Sequence, residues 1–157
     1  MSITQVMCSS FKAEVLLGVH DFRVTSGDTF KMALYTSLAA LDANTTAYTS
    51  TGEVVGTGYT AGGTTLVSLG VTTTNTSSTA GVGFVTFNNA VWTSSTFTAR
   101  GALIYNTTPS ALSNSGATLV NPAVCVLDFG SDKTVSAGTF TVTIPAATST
   151  TAIIRIS

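Results

Sequence analysis

Short segments that alternate threonine with apolar residues recur along this chain, and helical periodicity does not follow them. The cleanest is Thr139-Phe140-Thr141-Val142-Thr143-Ile144, which stops at Pro145. A period of two puts apolar side chains on one face of a strand and hydroxyls on the other. Thr29 to Thr36 repeats the pattern, with Phe30, Met32 and Leu34 on one face. Gly83 to Phe87 and Thr96 to Tyr105 read as further strands, and Asn88-Asn89 as a turn. Ala123 to Phe129 is almost continuously apolar, as expected of a strand covered on both faces. Gly130-Ser131-Asp132-Lys133 reads as the turn that ends it. Weaker strand signals lie at Glu53–Tyr59, Thr64–Val71 and Ala152–Ile156, and Ser37–Asp42 reads as one helical turn. About eight short strands without intervening helices predict an all-β sandwich or barrel, with an antiparallel, jelly-roll-like sandwich the favoured form. No repeat or linker divides the chain, so residues 1–157 are expected to form a single domain.

The first twenty residues are the exception. Phe11 to Leu17 predicts a short helix, with Ser10 as its N-cap, Glu14 in its first turns and Gly18 as its stop. Phe11, Val15 and Leu16 form a candidate apolar stripe. Two helical turns are not stable alone, so the arm and helix of residues 1–20 are expected to dock, a neighbouring subunit being the candidate.

Composition narrows the functions. Charged residues make up 8% of the chain, against a usual value of about 25%. Ser and Thr together number 49, so hydroxyls take the place of charges on the surface. Net charge is −1, which argues against a phosphate-neutralising face, and aromatic residues are not interleaved with Lys or Arg. No run approaches the roughly 18 apolar residues of a membrane span, and Met1 to Ser10 lacks the features of a secretory leader. Met7-Cys8-Ser9-Ser10 only faintly suggests a lipoprotein box, since the apolar segment before it is short. The two cysteines, Cys8 and Cys125, have neither zinc spacing nor the number for a disulfide framework, and their pairing stays open. These features fit folding in a reducing cytoplasm.

Candidate chemistry is sparse, and no catalytic, cofactor-binding or metal-ligating residue is assigned. His20, beside Asp21, is the only histidine, and no Gly-x-Ser-x-Gly elbow accompanies it. It reads as a surface or interface residue after the helix stop. Asp128 sits in an apolar strand and needs a partner if buried. Arg100, in another apolar strand, is the natural one, which makes Arg100 and Asp128 a candidate structural pair. Asp128 and Asp132 lack the oxygen density of a calcium loop. Asp128-Phe129-Gly130 has none of the other kinase signatures around it, and Gly81-Val82-Gly83 and Gly56-Thr57-Gly58 precede no helix. Trp92, Tyr59 and Tyr105 are either core anchors or a sugar-binding patch.

Four segments carry a resemblance. They are Phe30 to Ser37, Gly56 to Gly63, Thr98 to Asn106, and Ala123 to Lys133. Together they resemble small virion structural proteins of tailed bacteriophages and prophages. The resemblance implies a capsid decoration, or cement, protein: a small homo-oligomer, dimer or trimer, that binds the major capsid protein on the outside of the head. It implies assembly in the host cytoplasm, location in the virion, no cofactor, no catalytic residue, and no nucleic-acid or membrane partner. The alternative is a tail or head-fibre component or receptor-contacting adhesion module, using the polar loops Thr72–Ala80 and Asn106–Pro122. A small virion glycan hydrolase is a third class, for which no paired acidic motif is present.

Overall fold

The structure is a computed structural model and describes residues 2–74, 81–109 and 116–157. Its elements are β1 (Val6–Met7), α1 (Ser9–Leu16), β2 (Phe30–Tyr35), β3 (Thr64–Leu66), β4 (Ser68–Thr73), β5 (Gly83–Phe87), β6 (Ala90–Asn106), β7 (Ala123–Val142) and β8 (Ile154–Ile156). All strand pairs are antiparallel. One sheet runs β1-β7-β6-β2-β3 and the other β4-β5-β8. Both contribute to one core, where Phe30 of β2 stacks on Phe22 at 4.5 Å and meets Phe87 of β5 at 5.5 Å.

The β6–β7 ribbon dominates the first sheet, and here the expected turn is corrected. Residues 130–133 do not reverse the chain. Gly101 pairs with Asp128 and Ala99 with Lys133, so four β7 residues, Phe129 to Asp132, lie opposite Arg100 alone. The Gly-Ser-Asp-Lys chemistry builds a wide bulge, made possible by Gly130 at φ +75°, a conformation that costs a Cβ-bearing residue. The strand then continues to Val142.

Other expectations also shift. Thr64–Val71 is two strands, β3 and β4, in different sheets. Ser37–Asp42 is a turn and not a helix. Glu53–Tyr59 forms only the isolated bridges Tyr35–Glu53 and Thr57–Thr96. Its glycines serve close approach: a Cβ on Gly56 would stand 2.4 Å from the Thr96 carbonyl oxygen. Helix α1 begins at Ser9, with Cys8 as N-cap and no side-chain cap. Tertiary bonds set that start, because Cys8 N–H donates to Val124 O (3.0 Å) and Ser9 N–H to Ala43 O (2.8 Å). The Ser10 hydroxyl, expected to cap, is buried without a hydrogen-bond partner. Gly18, at φ +70°, does follow the helix end. Of the two polar loops, residues 75–80 and 110–115 lie outside the described residues.

Candidate functional site

The expected pair forms across the bulge. Arg100 Nε donates to Asp128 Oδ1 at 3.2 Å, and Gly130 N–H donates to the same oxygen at 2.9 Å. These two contacts, the backbone one foremost, hold the Asp128 carboxyl below its ordinary range. The carboxylate is not buried as expected: the side chains are 34% and 27% exposed. The reason is that β1 covers β7 only at Cys125 and Val126, so Asp128 already stands beyond that cover. Asp132 is exposed, and no cluster of three metal-ligating residues occurs among the described residues.

The expected helical stripe does not present one face outward. Phe11 is 1% exposed inside the chain's own core, Val15 is half-buried, and Leu16 is 88% exposed. The arm is likewise bound within the chain. Thr4 N–H donates to Leu41 O (2.9 Å), Leu41 N–H to Ser2 O (3.2 Å), and Val6–Met7 pairs with β7. Of the three residues singled out for docking on a neighbour, only Leu16, beside the half-exposed Leu17, remains fully available.

Trp92 and Tyr105 are buried in the core, and Tyr59 packs against it and stacks on Trp92 at 6.2 Å. Tyr59 and Tyr105 belong to a cluster around Glu53, which sequence reading passed over. Glu53 is 9% exposed. Its Oε2 accepts from the Tyr48 hydroxyl (2.7 Å), and its Oε1 accepts from the Tyr59 hydroxyl (2.6 Å) and Gly62 N–H (2.7 Å). The Tyr59 oxygen accepts from Leu34 N–H, and the Tyr105 hydroxyl donates to Gly62 O. Burial is the first cause of the raised pKa of all four tyrosines, with Tyr105 pushed up to about 12. A buried carboxylate with three donors is a satisfied one. The cluster ties the long connection between β2 and β3 to the first sheet. Glu53 gave no sequence signal because its partners lie 5, 6 and 9 residues away in an irregular loop.

A second buried cluster surrounds His20, whose side chain is 0% exposed and therefore not the surface residue expected. Its Nε2 lies 2.8 Å from Glu14 Oε2, and its Nδ1 lies 3.1 Å from Asn106 Nδ2. Asn106 Nδ2 also donates to Asp28 Oδ2 (2.8 Å), which accepts from Asp21 N–H (2.9 Å). The rings of Phe11, Phe22 and Phe30 pack around the imidazole at centroid distances of 4.9, 6.2 and 6.3 Å.

Cys8 and Cys125 are both free and buried on neighbouring segments. Cys125 pairs in register with Met7, one residue before Cys8. Burial pushes the two thiols up to about 11 for Cys8 and about 12 for Cys125, away from the reactive thiolate.

The surface carries a cleft of about 660 Å³ between the uncovered edge of β7 and β8 with its preceding loop. Met7, Leu127, Phe129, Ile144 and Ile153 give it apolar walls, while Gln5, Asp128 and Arg155 supply polar groups. Two strand edges border it, since β8 is an outer strand of its sheet and β7 has no partner beyond Val126 except β6 among the described residues. Unpaired strand edges are natural sites for association. In comparisons with known proteins, no family model, curated protein or solved structure matches the chain.

Proposed function

We propose that this chain is a virion structural protein of a tailed phage, a decoration protein that binds the outside of the head and clamps neighbouring capsid subunits. One observation carries the reading beyond the sequence resemblance. The buried ionisable side chains Glu14, His20 and Glu53 are engaged in internal hydrogen bonds, whereas the surface offers an uncovered β7 edge, a mixed cleft and exposed apolar residues such as Leu16 and Val55. That division suits a protein that binds through shape and apolar contact. The low charge of the chain suits a surface that does not attract DNA. The partners in this reading are the major capsid protein and further copies of the chain as a dimer or trimer. Small contacts repeated at each symmetry-related site sum through avidity. The Phe30–Phe87 contact supports treating the two sheets as a sandwich, and we keep a jelly-roll-like arrangement as the proposed finer description.

The test is copy number in purified particles, measured against the major capsid protein. On the order of hundreds of copies, in a simple ratio to the capsid protein, is the expected result for closed head symmetry. A few copies per particle moves the assignment to the tail or its fibres, and absence from the particle overturns the virion reading.

A further inference from the structure

The protonation state of His20 follows from its surroundings. Thr108 N–H can only donate, and it donates to Asn106 Oδ1 at 2.9 Å. That orients the Asn106 amide so that its nitrogen faces Asp28 Oδ2 (2.8 Å) and His20 Nδ1 (3.1 Å). An amide nitrogen donates and does not accept, so Nδ1 must carry a lone pair. The ring proton is therefore on Nε2, which donates to Glu14 Oε2 at 2.8 Å. A backbone N–H on β6's exit thus fixes a neutral imidazole two side chains away.

From this geometry we infer that His20 is an acid-sensitive latch that holds α1 and the segment leading to β2 against the end of β6. A second proton on Nδ1 puts two donors face to face, and the Asn106 contact is lost. Asn106 cannot turn its oxygen inward without giving up Thr108 N–H and facing that oxygen toward the Asp28 carboxylate. The groups facing the ring are Glu14 from α1, Asp28 and Asp21 N–H through Asp28 from the loop before β2, Asn106 from β6, and the three phenylalanine rings. Glu14 and Asp28 favour the imidazolium, but burial outweighs them and the His20 pKa lies below its ordinary value. Its folded pKa is depressed, so the stabilisation is full above the unfolded value of about 6.5 and is lost as pH falls below it. The segment released lies beside the exposed Leu16 and Leu17, so protonation alters the surface on which those side chains sit.

His20 is the only histidine, so its imidazole signals in an NMR titration of the whole chain need no assignment by mutation. The expected result is a titration midpoint below about 6.5, and, between about pH 7.5 and pH 5, a roughly tenfold loss of amide-exchange protection after correction for intrinsic rates. The loss is expected over Phe11–Leu17, while Ala102–Ile104 at the sheet centre keep their protection. Glu14→Gln removes a carboxylate that favours the charged ring, so the midpoint moves to lower pH and the protection loss moves with it. A midpoint at or above the ordinary value, a titration without local loss of protection, or a midpoint indifferent to Glu14→Gln overturns the latch.

Discussion

The two halves of the β6–β7 ribbon are built from the same strands and differ in what lies beside them. In the inner half, Gly101 to Asn106 of β6 is paired with β2 on one side, and Gly101 to Tyr105 with β7 on the other. Leu103, Ile104, Val124 and Val126 there are all but fully buried. In the outer half, Ala90 to Ala99 pairs with β7, and among the described residues its other edge has only the Thr57–Thr96 bridge. Phe97, Phe129 and Phe140 cluster on one face, at centroid distances of 5.1 and 6.3 Å, while most of the intervening β7 residues are exposed. A strand with neighbours on both sides and cover on both faces reads as a continuous apolar run. The same strand at an edge reads as alternation. The bulge at Phe129 to Asp132 marks the change.

If that contrast is energetic, Leu103→Ala is the most damaging single truncation. Leu103 is fully buried between two strands, and the expected loss is about 2–5 kcal/mol in urea unfolding. A loss below about 1 kcal/mol would show that the inner half is not the stable part. Alkali attacks the inner half by another route. Tyr35 and Tyr105 lie on its strands, and their folded pKa values are raised by burial. Groups raised in the folded state stabilise it fully below the unfolded value near 10, and that contribution disappears as pH rises through about 12 for Tyr105. The Tyr105 share is about 2–3 kcal/mol. Tyrosine ionisation followed by ultraviolet absorbance should coincide with unfolding, and free titration near pH 10 in the folded protein would refute the burial. Phe140→Ala tests the outer half. The phenyl ring is larger than the Leu103 side chain but only partly buried, so the expected loss is smaller, about 1–2 kcal/mol.

How far these halves could be read in advance depended on the range of the interactions. Ala123 to Leu127 and Gly83 to Phe87 were legible because burial imposes a local pattern on adjacent residues. Gly130-Ser131-Asp132-Lys133 was legible as irregular backbone but not as a bulge, because left-handed glycine serves both turns and bulges. Whether the chain reverses depends on β6, which continues past Arg100. Arg100 and Asp128 could be matched from their setting, but not their exposure, which depends on where the two-residue β1 ends. Glu53 and His20 were the least legible. Their partners are a loop amide, tyrosine hydroxyls and an asparagine 86 residues away, and no spacing rule connects them.

The smallest predicted effect separates backbone geometry from packing. Ala137, in the outer half of β7, has φ +47°, a region unfavourable for a residue with a Cβ. It lies between the Phe97–Val135 and Ser95–Gly138 pairs, where the register shifts, and its N–H donates to Thr96 Oγ1 at 2.9 Å. That bond does not require a side chain at Ala137. Ala137→Gly therefore relieves the Cβ conflict while keeping the bond, and the side chain it removes is exposed. Relief of the left-handed conformation outweighs the added freedom of the unfolded chain, giving a net gain of about 0.5 kcal/mol. Ala102→Gly is the control in the inner half. Ala102 is fully buried in a regular register, so the same substitution there loses about 1 kcal/mol. Opposite signs for one chemical change would show that the outer half's irregularity is a backbone feature held against local preference. Equal losses at both positions would mean that Ala137 occupies an ordinary strand conformation and that the outer half is a continuation of the inner one.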